Sequence, residues 1–326
     1  MPTNRYKVLV PDRFGAAGMD VLRARDDLEL VPYPPGTSAA TLHPLLADAH
    51  AVALSVTPFR AAEIAAASSL LVCARIGVGF DAVEVPALTT RRIPLMVTGI
   101  ANSTSVAEQA VAFVFALAKR GPALDAIVRE GRWQDRYASL PTEIAGKTVL
   151  VVGFGRIGTR AARKLAALDM RVLVHDPLVP GEVIRAAGYE PAPDLDAALP
   201  TADFVTIHCP KTPETIGLFD AARLARMRPS AYLVNTARGG IVDEAALHNA
   251  LVSRKLAGAG LDVFDEEPTP VSNTLLQLDT VIAAPHMAGV TAEAVAAMSV
   301  ATALNMLSVL DGRPIREHVV NPEVLG

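Results

Sequence analysis

Cysteine and aromatic residues are scarce in this chain, and its charges nearly cancel. Its 326 residues include two cysteines and one tryptophan, aromatic side chains make up 5%, and the formal net charge is -4. Cys73 and Cys209 both fall in apolar, strand-like runs. Without a Cys-x-x-Cys pair or a Cys/His cluster they offer neither a disulfide framework nor a metal site, and a reducing cytoplasm suits them best. No run of Lys or Arg could track a phosphate backbone or an anionic membrane, so neither nucleic acid nor membrane is expected as a partner. The N-terminal stretch through Val8-Leu9-Val10 is too short in its apolar part for a signal peptide or membrane span, and reads as a first strand. These absences favour a small-molecule ligand.

Apolar residues are abundant, at 51% against 20% charged, which is enough for two buried cores. From Lys7 to about Val97, apolar runs at Val8 to Val10, Ala51 to Val56, Leu71 to Ile76 and Leu95 to Val97 alternate with Ala-rich helical stretches. Strands alternating with helices imply a parallel sheet. Val106, Ala110, Phe113, Val114 and Leu117 then recur at helical spacing up to Arg120, predicting a long helix that joins two domains and stops at Gly121-Pro122. A second series of strands follows at Thr148 to Val152, Arg171 to His175, Phe204 to His208, Ala231 to Asn235, Ala259 to Val263 and Thr280 to Ala283. Six strands at this spacing match a doubly wound nucleotide-binding sheet. Thr291 can cap a last helix running to about Leu310, whose place after the final strand suggests a return to the first domain. The expected division is 1–101 with 291–326, and 102–290.

Gly153-Phe154-Gly155-Arg156-Ile157-Gly158 directly follows the strand at Thr148 to Val152 and opens a helical stretch from Thr159 to Leu168. In that setting Gly153 permits the turn, Gly155 close approach and Gly158 helix packing, so that backbone N–H groups and a helix N-terminus face a pyrophosphate. Asp176 ends the next strand, about 20 positions beyond the glycines, where a carboxylate can accept hydrogen bonds from ribose hydroxyls. It would repel a 2'-phosphate, and Leu178, Val179 and Pro180 supply no cation to hold one. NAD is therefore expected over NADP.

Three further strand ends carry Arg238, Glu267 and His286. A guanidinium there could grip a carboxylate through two parallel bonds. A carboxylate beside an imidazole would orient it through one ring nitrogen and leave the other to exchange a proton with a substrate oxygen. His208 also ends a strand, but has no acidic counterpart in sequence and reads as structural.

With these residues the sequence resembles the D-isomer-specific 2-hydroxyacid dehydrogenases. The likeness covers nearly the whole chain and runs in order through Gly77-Val78-Gly79-Phe80-Asp81, Ser105-Val106-Ala107-Glu108, Gly131-Arg132-Trp133, the glycine motif, His208-Cys209-Pro210 to Thr215, and the three catalytic segments. It is to the phosphoglycerate dehydrogenase and glyoxylate/hydroxypyruvate reductase kind without a regulatory C-terminal domain. The resemblance implies an α/β protein of two doubly wound parallel-sheet domains, a Rossmann NAD-binding domain inserted into a flavodoxin-like substrate domain. It implies Arg238 binding and polarising a 2-keto acid, His286 as acid/base, Glu267 as its partner, and the backbone of Val78 and Gly79 holding the substrate carboxylate. It also implies cofactor contacts from Arg156, Ile157, Asp176, Cys209, Pro210, Thr215, Thr236, Ala237 and Asp262, with His286 and Gly289 beside them.

The chain departs from the family pattern at Ala82, often Asn, and at Gln109, often His. Phosphoglycerate-specific members typically flank a Ser with Arg where Leu54 and Val56 stand around Ser55, so a small unphosphorylated 2-hydroxy or 2-keto acid, with no charge beyond its carboxylate, is expected, bounded by residues from Leu54 to Phe59. Arg60 and Arg75 remain candidates for a second anion site. A twofold homodimer through 102–133 is expected from the apolar character of that segment. An NAD(H)-sensing, corepressor-like binding protein on the same fold is the alternative, but would bring added tails or a peptide-binding insertion. A short-chain dehydrogenase is disfavoured because no Tyr-x-x-x-Lys pair is present.

Overall fold

A computed structural model of the chain describes residues 5–34, 36–55 and 57–326. Val56, at the end of an expected strand, lies outside the described residues. The chain divides into two compact units, Met1–Asn102 with Val290–Gly326, and Ser103–Gly289.

In the first unit, β1 (Tyr6–Pro11), β2 (Leu28–Tyr33), β3 (Ala51–Leu54), β4 (Val72–Arg75) and β5 (Leu95–Met96) form a parallel sheet ordered β2-β1-β3-β4-β5. Successive side chains alternate between its faces. Leu9, Val52, Leu54 and Cys73 bury one face under helices Ala39–Leu46, Ala61–Ala66 and Val85–Thr90, whereas Val8, Val10, Ala51, Ala53, Val72 and Ala74 bury the other with helices Ala16–Arg23 and Ala292–Leu310. Thr291 does cap that last helix, its Oγ1 accepting the Ala294 N–H at 3.2 Å. β2 was not expected from the sequence. Its residues LELVPY carry Glu29 and Pro32 in place of a clean apolar run, a composition tolerated because β2 is an edge strand.

In the second unit, β6 (Thr148–Val152), β7 (Arg171–His175), β8 (Glu190–Pro191), β9 (Phe204–Ile207), β10 (Tyr232–Asn235), β11 (Gly258–Leu261) and β12 (Val281–Ala283) give a parallel sheet ordered β12-β11-β10-β9-β6-β7-β8. The order reverses beside β6, the crevice where open α/β sheets bind ligands. Helix Ser103–Lys119 packs on this sheet through Ala107, Ala110, Phe113, Val114 and Leu117 rather than serving only as a connector. It ends at Arg120, which takes a φ of 53°, and a further helix, Gly121–Arg129, begins where only a stop was expected.

Strand register is what assembles a site. Val152 pairs with His175 and Ile207, Ile207 with Asn235, Asn235 with Leu261, and Leu261 with Ala283, so one row of residues crosses the sheet. Whatever follows each of these positions emerges at one edge. Gly153, Asp176, His208, Thr236 and Asp262 are the next residues in their strands.

Candidate active site

The glycine turn is shaped by sterics. Gly153 has a φ of 97°, and a Cβ there would stand 2.6 Å from the Cys209 nitrogen; one on Gly158 would stand 1.9 Å from the Gly153 oxygen. At Gly155 a Cβ would meet nothing within 4 Å, leaving room for a ligand's phosphate to approach the backbone at the start of helix Gly158–Ala166. Arg156 and Ile157 complete the turn, with Ile157 at the helix N-cap.

Asp176 supports this turn directly. Its Oδ2 accepts the Phe154 N–H at 2.7 Å and its Oδ1 accepts the Leu178 N–H at 2.9 Å. Across the edge, Thr215 Oγ1 donates to the Pro210 carbonyl at 2.6 Å and accepts the Thr212 N–H at 2.7 Å, closing the loop that begins at Cys209. Burial pushes the half-buried Cys209 thiol up to about 11, so it stays protonated. Thr236 Oγ1 is buried with no hydrogen-bond partner. An orphaned hydroxyl and an open glycine cradle on the same sheet edge fit a dinucleotide.

Arg238, Glu267 and His286 follow the next strands. Glu267 Oε2 lies 2.7 Å from His286 Nδ1, while Glu267 Oε1 accepts the Phe264 N–H at 2.9 Å. Burial pushes the Glu267 carboxyl up, but the hydrogen bonds from His286 and Phe264 and the charges of His286 and Arg238 outweigh it and hold the carboxyl below its ordinary value. With Nδ1–H donating to that carboxylate, Nε2 is the nitrogen that can exchange a proton.

His286 takes a φ of 53°, uncommon for a non-glycine residue. Asp262 holds it there. The Asp262 carbonyl accepts the His286 N–H, its Oδ1 accepts Met287 N–H and its Oδ2 accepts Ala288 N–H, each at 2.8 Å. Asp262 is 1% exposed, and burial raises its carboxyl despite the two amide donors. The residue expected at the cofactor therefore also fixes the backbone of His286, a role its sequence position did not reveal. Gly289 follows at the end of this turn. The Arg238 loop meets the Glu267 loop at Gly239, where a Cβ would stand 1.8 Å from the Phe264 oxygen.

His208, the other strand-end histidine, differs. Its Nε2 lies 2.9 Å from Thr206 Oγ1, its Nδ1 is buried without a partner, and burial pushes it down to about 4, so it is neutral. Among the described residues no group of three His, Cys, Asp or Glu is placed to hold a metal.

Residues 111–288 match the model of the D-isomer specific 2-hydroxyacid dehydrogenase, NAD binding domain. The chain belongs to the D-isomer-specific 2-hydroxyacid dehydrogenase family. It is 37% identical over 319 residues to D-3-phosphoglycerate dehydrogenase of Archaeoglobus fulgidus, covering 98% of this chain and 60% of that protein, so it spans less than two thirds of that relative's length. It is 36% identical to glyoxylate reductase of Thermofilum pendens over 98% of this chain and 96% of that one. Among solved structures, a glyoxylate reductase from Paecilomyes thermophila superposes with a TM-score of 0.87 at 27% identity, covering 99% of this chain and 100% of that one.

In the other unit of this dehydrogenase-family chain, Val78 and Gly79 lie in the turn after β4. Arg75 braces that turn, Nε donating to the Gly79 carbonyl at 2.7 Å and Nη1 to the Leu54 carbonyl at 3.0 Å. Arg75 is thus engaged by backbone. Arg60 is exposed at the N-cap of helix Ala61–Ala66. One expectation is corrected here: Leu54 and Phe59, read as lining for the substrate side chain, are both 0% exposed and belong to the core, because their positions face helices rather than solvent. Ser55 and Pro58 are the partly or fully exposed residues between them, and Val56 lies outside the described residues.

Proposed function

We propose that the protein is an NAD-dependent oxidoreductase that interconverts a small D-2-hydroxy acid and its 2-keto acid. The observation that carries this reading is the Glu267–His286 pair at 2.7 Å, set on the same sheet edge as the glycine cradle. NAD bound at Gly153, Gly155, Gly158 and Asp176 would supply or accept the hydride at C2. Arg238 binds the substrate's carboxylate and polarises its keto oxygen. His286 Nε2 gives the proton to that oxygen in reduction and removes it in oxidation, and Glu267 keeps the imidazole aligned through Nδ1. Val78 and Gly79 add backbone donors for the carboxylate, on the strength of the resemblance.

Asp176 supports NAD over NADP, because its carboxylate would repel a 2'-phosphate. Arg75 being engaged by the Leu54 and Gly79 carbonyls supports an acid with no second anionic group, such as glyoxylate or hydroxypyruvate, over a phosphorylated one, since a phosphate needs a cationic partner. Oxidation of NADH and of NADPH against glyoxylate, pyruvate, hydroxypyruvate, phenylpyruvate and 3-phosphohydroxypyruvate tests the reading. Efficiency with 3-phosphohydroxypyruvate ten times that with hydroxypyruvate would overturn the substrate class, and no turnover with any of them would overturn the function.

We further propose a cytoplasmic homodimer through the region 102–133. Phe115, Val128 and Trp133 are exposed there, and Arg136 stacks over the exposed rings of Trp133 and Tyr137 at 5.5 and 4.7 Å. Apolar surface so grouped favours a covered state. A monomeric mass by light scattering at micromolar concentration would reject it.

A further inference from the structure

Arg238 stands on a loop, where the backbone has no sheet ladder to hold it, yet an anion grip works only if its guanidinium has a fixed direction. What fixes it is a side chain that enters the loop from below. Asn235 is the last residue of β10 and 2% exposed. Its Oδ1 accepts the Ala237 N–H at 3.0 Å and its Nδ2 donates to the Arg238 carbonyl at 2.9 Å. The amide's orientation is set by chemistry, since an N–H must meet the oxygen and a carbonyl must meet the NH2.

These two bonds flank the peptide between Ala237 and Arg238, and the carbonyl of that peptide accepts Arg238 Nη1 at 2.6 Å. One buried amide therefore holds the peptides on both sides of the group that the guanidinium leans on. Asn235 is itself well anchored. It pairs with Ile207 and Leu261 in the sheet, and its carbonyl accepts the Asp262 N–H at 3.0 Å. Asp262 in turn holds the His286 turn, so the backbones of the anion grip and the acid/base are both referenced to adjacent strand ends.

We propose that Asn235 is the positioning residue of Arg238: it touches no reacting atom, and by clamping the loop through Ala237 N–H and Arg238 C=O it sets the direction of the guanidinium that binds the substrate's carboxylate. The inference rests on the keto-acid reading for its kinetic consequence, and on the hydrogen bonds alone for the clamp. Asn235→Ala leaves a partly buried donor, Ala237 N–H, and a partly buried acceptor, the Arg238 carbonyl, without this partner. Asn235→Asp keeps the shape but turns an acceptor towards the Arg238 carbonyl whenever the carboxyl is ionised, and restores a donor when it is protonated.

The test combines four measurements on the full chain. In keto-acid reduction, Asn235→Ala should raise KM by about tenfold or more while the Kd for NADH stays within about twofold. Placed in an Arg238→Ala background, Asn235→Ala should add less than about a twofold further loss of kcat/KM, because a residue acting through Arg238 has nothing left to act on. Asn235→Asp should recover towards wild type as pH falls, read as the ratio of the two proteins at each pH. Hydrogen exchange of a peptide spanning 236–241, which needs no turnover, should be faster in Asn235→Asp at neutral pH than in wild type. Additive losses in the cycle, or NADH affinity falling as far as keto-acid affinity, would overturn the assignment. Should wild type reduce no keto acid, the functional reading falls, and exchange alone decides the clamp: faster exchange supports it and unchanged exchange overturns it. Should Asn235→Ala fail to fold, the isosteric Asp variant carries both arms.

Discussion

Replacing Gly239 by alanine should damage catalysis without touching any group that reacts. Gly239 has no positive φ, so its backbone accepts an L-residue, and the obstacle is space alone. The new methyl carbon would stand 1.8 Å from the Phe264 oxygen and 2.2 Å from the Phe264 carbonyl carbon, where real Cβ contacts essentially never come under 3.0 Å. The obstructing atoms are backbone, so no rotamer change relieves the clash, and the two loops must part by roughly 1 Å. Arg238 is the residue before Gly239, and the Phe264 N–H holds Glu267 Oε1 at 2.9 Å. Separation therefore displaces Arg238, the Glu267 carboxylate, or both, the groups proposed to bind the substrate and to align His286. Overpacking of this kind costs about 1–3 kcal/mol of stability, and a misplacement near 1 Å costs on the order of 100-fold in rate. Steady-state kcat/KM for keto-acid reduction, with thermal unfolding as the companion measurement, should show both losses in Gly239→Ala. A natural comparison is Gly155→Ala, whose methyl meets no protein atom within 4 Å. It should unfold like wild type and lose NADH affinity instead. A Gly239→Ala enzyme within threefold of wild type would refute the claim that close contact between these loops sets the catalytic geometry.

Two other outcomes follow from the charges. Glu267 is held below the ordinary carboxyl value of 4.5, so the pair is intact above that range and its contribution is lost only as pH falls through the lowered value. Glu267→Gln puts a neutral amide against His286 Nδ1 in place of the carboxylate that lies 2.7 Å away, and should lower reductive kcat/KM by roughly tenfold or more; a variant within twofold of wild type would show that the pair does not support the reaction. Asp176→Ala should narrow the preference for NADH over NADPH by removing the repulsion of a 2'-phosphate. It should also loosen the glycine turn, since Phe154 N–H loses its acceptor at 2.7 Å, and a wild type equally efficient with both cofactors would sink this account of cofactor choice.

The parts of the structure legible in the sequence are those encoded by local pattern. Apolar runs marked the buried strands, the glycine spacing marked the turn after β6, and Thr291 marked a helix start. β2 and the two-residue β8 escaped because edge strands tolerate Glu and Pro and need little length. Leu54 and Phe59 were misplaced for a different reason, since apolar composition does not say whether a loop-flanking residue faces a ligand or its own core. The supporting roles of Asn235 and Asp262 left no spacing to read. Each depends on side-chain bonds to backbone groups two, three or about 25 positions away, which only the strand register brings within reach.

The central claim is a hydride delivered to C2 with its proton handled by His286, and isotope transfer tests it most directly. Wild-type protein is incubated with glyoxylate, pyruvate or hydroxypyruvate and NADH carrying deuterium at both nicotinamide C4 positions, and the hydroxy acid is analysed by mass spectrometry and chiral chromatography. The account predicts one deuterium at C2, the D-isomer from the chiral products, and a rate about 100-fold or more lower in His286→Ala. Product without deuterium, L-product, or an undiminished rate in His286→Ala would contradict it.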